Sequence, residues 1–365
     1  MASIAPCGYS SCVPNPAAES IDHLVDRHPA VSPERLIAQL KPPPTFAGAS
    51  FASYRPDPAQ PSQAAAVTAC TAFCAQALTR RAGRRKLLGK REVLPGVGIY
   101  LDGGFGVGKT HLLASIYHTI TDTGSDSVHG SGPPPGTAFA TFMELTQLAG
   151  VFGFTECIEL LGGYTVVCID EFELDDPGNT TLVSRLLSEL VARGVSIAAT
   201  SNTLPDQLGE GRFAVQDFLR EISALASIFK PVRVDGPDYR HRDLPPAPEP
   251  PSAQQVTQRA AARPGATLDD FDGLCVHLAT MHPSRYLTLI EGVTAVFLTG
   301  AHPIDDQNVA LRLVALTDRL YDAGIPVVAS GAKLDQIFSA EMLAGGYRKK
   351  YLRATSRLLA LSSGG

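Results

Sequence analysis

The sequence has no tryptophan, only four methionines and no long apolar run. A membrane-spanning helix needs about 18 or more consecutive apolar residues, and no segment of this chain supplies them without interruption. The first residues lack the basic and then apolar pattern of a secretory signal, and the acids Glu19, Asp22 and Asp26 are unlike a transit peptide. We therefore expect a cytoplasmic protein.

Cysteine is also scarce, and the seven cysteines form an odd set placed mostly within apolar patterns. This usage is typical of reduced thiols in the cytosol rather than of a disulfide framework. Cys70 and Cys74 lie one helical turn apart and could ligate a metal, but no nearby histidine or second cysteine pair completes such a site. We expect both side chains to pack in the core.

No charge of one sign dominates, because the net charge is −5 and only 18% of the residues are charged. An acidic balance argues against a surface that binds nucleic acid generally, although a local patch is compatible with it. One basic cluster is present, formed by Arg80, Arg81, Arg84, Arg85, Lys86, Lys90 and Arg91. It favours a solvated face at a helix end, and a site for acidic protein, lipid or nucleic acid is the alternative.

The most distinctive segment that is present is GIYLDGGFGVGKT at residues 98–110, in which an apolar, strand-like run opens into a glycine-rich loop. It matches G-x-x-x-x-G-K-[ST], the P-loop whose backbone amides hold the phosphates of a nucleoside triphosphate. Glycine lets the backbone approach the phosphates, the lysine adds positive charge, and the threonine hydroxyl is a ligand for Mg²⁺. The predicted ATP-binding residues are Gly103, Gly104, Phe105, Gly106, Val107, Gly108, Lys109 and Thr110.

A second motif, YTVVCIDE at residues 164–171, is an apolar and β-branched run that ends in two carboxylates. Such a run is typical of a strand buried on both faces. Downstream of a P-loop, Asp170 would join Thr110 in organising Mg²⁺, and Glu171 would polarise the attacking water. A solvated turn is the alternative for acids at a strand end.

A third element follows in order, since a helix predicted over residues 180–193 leads to a buried strand at residues 195–200 and then to Asn202. At that position an amide side chain would lie beside the strand that carries the two acids. There it could sense the γ-phosphate or hold the lytic water, and we predict this catalytic role for Asn202. A plain turn before Pro205 is the alternative.

The alternation of strand and helix patterns predicts an α/β protein of the P-loop type with a parallel sheet. Composition predicts a mobile N-terminal arm at residues 1–45, an ATPase core at 46–243, a Pro/Ala-rich linker at 244–266 and a C-terminal α/β region at 267–365.

The C-terminal region carries an internal likeness, because residues 294–337 repeat the rhythm of residues 165–208. Thr299 and Gly300 stand there in place of the acids, and Ala332 stands in place of the asparagine. We interpret it as a degenerate, catalytically silent repeat, and the alternative is that two βαβ units converge on one pattern.

Taken together, GIYLDGGFGVGKTHLL, VVCIDEFELDD, GVSIAATSNTLPDQL, VDGPDYRHR and the C-terminal TDRLYDAGIPVVASG and TSRLLAL resemble the ZapE cell-division ATPase family over residues 45–361. The resemblance implies an AAA+ fold, Mg²⁺-dependent ATP hydrolysis and a homo-oligomer. It also implies action at the division site, with the tubulin-like division protein FtsZ as the bacterial partner.

AAA+ ATPases of this kind take an arginine from a neighbouring subunit to stabilise charge on the transferring phosphoryl group. The family has an arginine directly before Phe-Leu, where this chain has Asp217. The resemblance therefore selects Arg220 as the substitute, with Arg212 as its rival, and a structural salt bridge is the alternative for either residue. For a second sensor that binds ATP it selects Arg312, and the rivals are Arg240, Arg242 and Arg357.

These observations predict an ATP hydrolase that drives a conformational change in a protein partner. The alternative is a nucleic-acid-associated loader or initiator ATPase, which would use the basic cluster. A scaffold that binds nucleotide without hydrolysing it is a third reading.

Overall fold

The computed structural model describes residues 21–30, 32–85, 91–104, 106–125, 136–172, 177–203, 219–237 and 247–362. Its strands are β1 Arg84–Arg85, β2 Arg91–Glu92, β3 Gly98–Gly103, β4 Thr137–Thr141, β5 Val166–Asp170, β6 Ser196–Ser201, β7 Phe229–Val234, β8 Ala266–Asp270, β9 Ala295–Ala301 and β10 Val327–Gly331. Its helices are α1 Pro33–Ala38, α2 Pro61–Ala82, α3 Lys109–Ser125, α4 Phe142–Phe152, α5 Phe154–Gly162, α6 Pro177–Ala192, α7 Leu219–Ile228, α8 Ala253–Ala261, α9 Phe271–Ala279, α10 Tyr286–Leu289, α11 Gln307–Ala323, α12 Ala340–Ala344 and α13 Arg348–Ser362.

The ATPase core is built on a five-stranded parallel sheet with the order β4-β5-β6-β3-β7. Its central strands are buried on both faces, which explains their continuous apolar runs. Helices α2 and α3 cover one face, and α4, α5 and α6 cover the other. Because the strands are parallel, their carboxyl ends meet at one edge of the sheet. The predicted α/β fold is confirmed.

A second, three-stranded parallel sheet with the order β10-β9-β8 forms the C-terminal region. Helices α9, α11 and α13 cover one face with a large apolar cluster. Helix α8 covers the other face, where Val256 and Ala260 contact β9. The linker predicted at residues 244–266 is therefore wrong over its second half. Ser252 and Gln255 form a capping box that starts α8, and the buried residues of the helix anchor it.

The two sheets share details of register as well as strand order. Thr141 pairs with Asp170 across β4 and β5, and Asp270 pairs with Thr299 across β8 and β9, at the same separation along the chain. The backbone is left-handed near the end of the middle strand in both, with φ 53° at Glu171, directly after β5, and 73° at Gly300, the penultimate residue of β9. These correspondences favour the hypothesis of a degenerate repeat, which stays a prediction.

The described part of the N-terminal segment, residues 21–54, contacts both the core and the C-terminal region. Asp22 forms a parallel bridge with Thr267 of β8, and Leu24 is fully buried beside it. Further along, the backbone N–H of Phe139 donates to the carbonyl of Leu40 at 3.1 Å, beside β4. This packing differs from the mobile arm predicted for residues 1–45, because a few leucines in a Pro-rich segment are enough to anchor it. Residues 1–20 lie outside the described part of the chain.

The basic cluster is divided between two elements. Arg80 and Arg81 lie in the last turn of α2, and Arg81 donates to the carbonyl of Gly163 at 2.8 Å. Arg84, Arg85 and Arg91 lie in the antiparallel pair of β1 and β2. Lys86 and Lys90 lie outside the described residues.

Candidate functional site

The P-loop lies where β3 ends and α3 begins, and neighbouring elements hold its backbone. Gly106 and Gly108 have φ values of 67° and 89°, in the left-handed region that favours glycine. A Cβ atom at Gly108 would meet the ring of Tyr54 at 2.5 Å, so this position has no room for a side chain. The Tyr54 hydroxyl donates to the carbonyl of Val107 at 2.8 Å. Phe105, also predicted to bind ATP, lies outside the described residues.

Lys109 is the first residue of α3, and its side chain points back over the loop. Its ammonium donates to the carbonyl oxygen of Gly103 at 3.0 Å and to Oδ1 of Asn202 at 2.9 Å. The lysine is 9% exposed. The structure thus brings two predicted site residues together from the ends of β3 and β6. Phosphate oxygens would replace these acceptors, since a buried ammonium has to keep its charge compensated.

Thr110 and Asp170 also meet, as a magnesium site requires. The Thr110 hydroxyl lies 3.2 and 3.1 Å from the two carboxylate oxygens of Asp170, and the hydroxyl of Thr200 donates to Oδ1. The pKa of Asp170 is raised above its usual value, because burial and the neighbouring carboxylate of Glu171 outweigh the hydroxyl groups of Thr200 and Thr110, which lower it. A hydroxyl and a carboxylate are hard oxygen ligands, so this pair fits Mg²⁺, whose charge would favour ionised Asp170.

Glu171 follows β5 on a strained turn. Among the described non-glycine residues it is the one with positive φ, at 53°. Its N–H donates to the Thr200 hydroxyl at 3.1 Å, so β6 supports the turn. This geometry lifts the side chain out of the strand, and 28% of it is exposed. The predicted water-polarising group is therefore at the accessible edge of the sheet, next to the predicted magnesium ligands.

Two arginines of α13 contact this carboxylate. Arg353 reaches Oε2 and Arg357 reaches Oε1, each at 3.3 Å. Burial alone would raise the pKa of Glu171, but these guanidinium groups lower it to about 2. Arg357 had been a rival for the second-sensor role, whereas Arg353 is a residue that the sequence reasoning missed. Its one signal is the spacing of the two arginines, four residues apart on the same face of a helix.

The structure also describes Arg312 and Arg220, the arginines predicted as second sensor and as substitute for the family arginine. Arg312 donates to the carbonyls of Leu278 and Met281 at 2.8 and 2.7 Å, so it ties α11 to the end of α9. Arg312 also lines the cavity that Asp170 and Glu171 line, and its role in ATP binding stays a prediction. Arg220 lies exposed in the first turn of α7. Arg212, Asp217, Arg240 and Arg242 lie outside the described residues.

A cavity of about 840 Å³ lies between the ATPase core and the C-terminal region, beside Asp170 and Glu171. Asp170 and Glu171 line one end of it. Apolar side chains of α4 and α11 line much of the rest, together with the prolines at residues 42–44. The edge of the sheet that carries the site therefore faces the C-terminal region.

A parallel α/β sheet, a P-loop after one buried strand and an acid pair at the end of another define an ATPase of the AAA+ P-loop type. The sequence matches the AFG1-like ATPase family over residues 30–261 and 246–365, and the chain belongs to that family. The resemblance to the ZapE group is thereby confirmed.

Two curated proteins and one solved structure illustrate the similarity. The Escherichia coli K12 protein named cell division protein ZapE is 28% identical over 323 residues, which cover 76% of this chain and 82% of that protein. Lactation elevated protein 1 homolog B of Danio rerio is 26% identical over 165 residues, 42% of this chain and 32% of that protein. The crystal structure of DnaI covers 56% of this chain and 98% of its own, at 19% identity and a TM-score of 0.42.

None of the helices in the described part of the chain is long and apolar enough to cross a bilayer.

Proposed function

We propose that the protein hydrolyses ATP to ADP and phosphate with Mg²⁺. The observation that carries this proposal is the convergence of five predicted residues at one sheet edge. Lys109 contacts Asn202, Thr110 contacts Asp170, and Glu171 follows directly. Three separate strands supply these groups, which is how P-loop ATPases assemble a site for water and phosphate.

Each residue has a distinct task in this reaction. The loop amides and Lys109 bind the β- and γ-phosphates and compensate their charge. Thr110 and Asp170 would hold Mg²⁺, which neutralises charge that develops on the phosphate oxygens. Glu171 accepts a hydrogen bond from the attacking water and polarises it. Asn202, already beside Lys109, orients that water or the γ-phosphate.

Two substitutions test this assignment by separating binding from turnover. Lys109→Ala should abolish ATP binding, because the buried cation at the phosphates is lost, whereas Lys230→Ala on an exposed position of β7 should not. Glu171→Gln should bind ATP and hydrolyse it far more slowly, with the exposed Glu189→Gln as its control. Undiminished turnover in Glu171→Gln would remove Glu171 from its proposed task.

We also propose that the protein acts as a homo-oligomer in which Arg220 reaches the site of a neighbouring copy. Arg220 is exposed in the first turn of α7, as a residue donated to another subunit must be. Turnover per subunit should then rise with protein concentration, and Arg220→Ala should lower it. Added Lys109→Ala protein, which keeps Arg220, should partly restore the Arg220→Ala activity. Concentration-independent turnover would contradict this proposal.

The proposed client is a protein of the division machinery, and FtsZ is the candidate to test. Support comes from family membership and from the name of the Escherichia coli relative, a cell division protein. Glu171→Gln should retain the client in the ATP state, so pull-down with this variant should enrich it over pull-down with Lys109→Ala. Salt-dependent binding to DNA with a steep slope would instead favour a nucleic-acid loader.

A further inference from the structure

The carboxylate of Glu171 is held from outside the ATPase core. Arg353 and Arg357 contact its two oxygens separately, one guanidinium group to each oxygen, at 3.3 Å. Their helix, α13, packs against α11, α12 and β10, all of which belong to the C-terminal region. The ion pairs therefore connect a catalytic side chain in one region to a helix of the other.

A buried acid fixes the two arginines in turn. Arg353 donates to Oδ2 of Asp318 in α11 at 2.7 Å, and Arg357 donates to Oδ1 of the same carboxylate. The side chains of Arg353, Arg357 and Asp318 are 6%, 10% and 12% exposed. A guanidinium group is a rigid planar fork, so pairing on two sides fixes its orientation as well as its charge.

The two ion pairs restrict the orientation of the Glu171 side chain. Its side chain is 28% exposed at a sheet edge, and three rotatable bonds would otherwise let the carboxylate turn away from the attacking water. Catalytic groups act efficiently only when their supporting contacts hold them within about 0.5 Å of the productive position. One contact to each oxygen defines the plane of the carboxylate, which a single contact would not do.

We propose that Arg353 and Arg357 are positioning residues that orient Glu171 towards the attacking water, so that ATP hydrolysis depends on the placement of the C-terminal region against the core. This inference rests on the proposed ATPase function. The two arginines then act on the attacking water through Glu171 and do not bind the phosphates. A displacement of α13 would then slow hydrolysis without releasing ATP.

Conservative substitutions test the proposal without burying an unpaired acid. Arg353→Lys and Arg357→Lys keep the charge but lose the fork, so kcat should fall by about 10- to 100-fold, as is typical when the partner of a site residue is lost. The affinity for ATP should stay as in the wild type, because neither residue is proposed to touch the phosphates. If a lysine variant fails to fold, Asp318→Asn decides, because it leaves both arginines in place. It should lower kcat in the same way.

Arg319→Lys is the matched control at the same boundary. Arg319 is also buried between the regions, but it pairs with Glu144 at 3.0 Å instead of with Glu171. It should keep the wild-type kcat. An equal fall in Arg319→Lys would mean that any weakening of the boundary slows turnover, which would overturn the specific role of the two α13 arginines.

A double-mutant cycle shows whether the arginines act through Glu171. In the Glu171→Gln background, Arg357→Lys should cause no further loss of residual turnover, because the group it positions is gone. Additive losses, or a weaker affinity for ATP, would place the arginine on the phosphates and overturn the proposal. An inactive wild type or an active Glu171→Gln would instead contradict the proposed ATPase function itself, so the two failures are distinguishable.

Discussion

Replacing Tyr54 by phenylalanine should weaken ATP binding while leaving the fold in place. Tyr54 belongs to the N-terminal segment that runs between the two regions, and its hydroxyl donates to the Val107 carbonyl of the P-loop at 2.8 Å. A trans peptide unit directs its C=O and its N–H to opposite sides. The bond that holds the Val107 carbonyl therefore also directs the N–H of Gly108 to the other side of the loop, where a phosphate cradle needs donors.

The size of the effect follows from the bond and its surroundings. Tyr54 is 9% exposed, so water does not readily replace the lost hydroxyl. A buried neutral hydrogen bond contributes about 0.5–1.5 kcal/mol. At about 1.4 kcal/mol per tenfold change, this corresponds to an affinity for ATP weakened by about 2- to 10-fold. The ring remains in Tyr54→Phe and still packs on Gly108, so the loop keeps its steric support.

Tyr286→Phe provides the matched control, because its hydroxyl donates to the carbonyl of Leu278 at 2.9 Å in the buried core of the C-terminal region. The two variants should lose similar stability in thermal unfolding, but only Tyr54→Phe should show a higher dissociation constant in titration calorimetry with ATP. An unchanged constant for Tyr54→Phe, or an equal rise in both variants, would refute the coupling between the N-terminal segment and the loop.

Two further predictions concern the C-terminal region. Val256→Ala should lower the free energy of unfolding in urea by about 2 kcal/mol, because it removes two buried methyl groups and leaves a cavity. Thr257→Ala, at an exposed position of the same helix, should change it by no more than about 0.5 kcal/mol. Equally small effects of both substitutions would favour the predicted linker over a packed helix. Burial raises the pKa of Asp322 to about 7. The folded protein then binds a proton there between about pH 4 and 7 that the unfolded chain does not, so stability falls as pH rises through this range. Asp322→Asn should raise the melting temperature at pH 8 and have less effect at pH 5, and the reverse order would contradict the assigned pKa.

The sequence was sufficient for those parts of the site that lie in short contiguous motifs. A P-loop is built from consecutive residues, so Lys109 and Thr110 could be assigned without knowledge of the packing. Asp170 and Asn202 required one further step, since parallel strands bring their carboxyl ends to the same edge. Their contacts with Thr110 and Lys109 agree with that reasoning.

Other features depend on contacts between distant segments, which composition does not encode. Arg353 meets Glu171 because the C-terminal region packs against the edge of the core sheet, and the spacing of the two arginines on α13 does not identify their partner. The Pro/Ala-rich stretch was mistaken for a linker because proline dominates its first half. Ser252 and Gln255 have the spacing of a capping box, and Val256, which follows them, is buried.

The two sheets differ in the residue that takes the left-handed backbone near the end of the middle strand. A side chain at positive φ costs about 1 kcal/mol or more, and Glu171 bears that cost at 53°. In the C-terminal sheet the matching position is Gly300 in β9, with φ 73°, where no side chain is strained. Glycine adopts this backbone conformation without strain, so the proposed catalytic role of Glu171 carries a conformational cost that the C-terminal sheet does not bear. Glu171→Gly would accordingly be the first substitution to consider for an inactive protein with a relaxed turn.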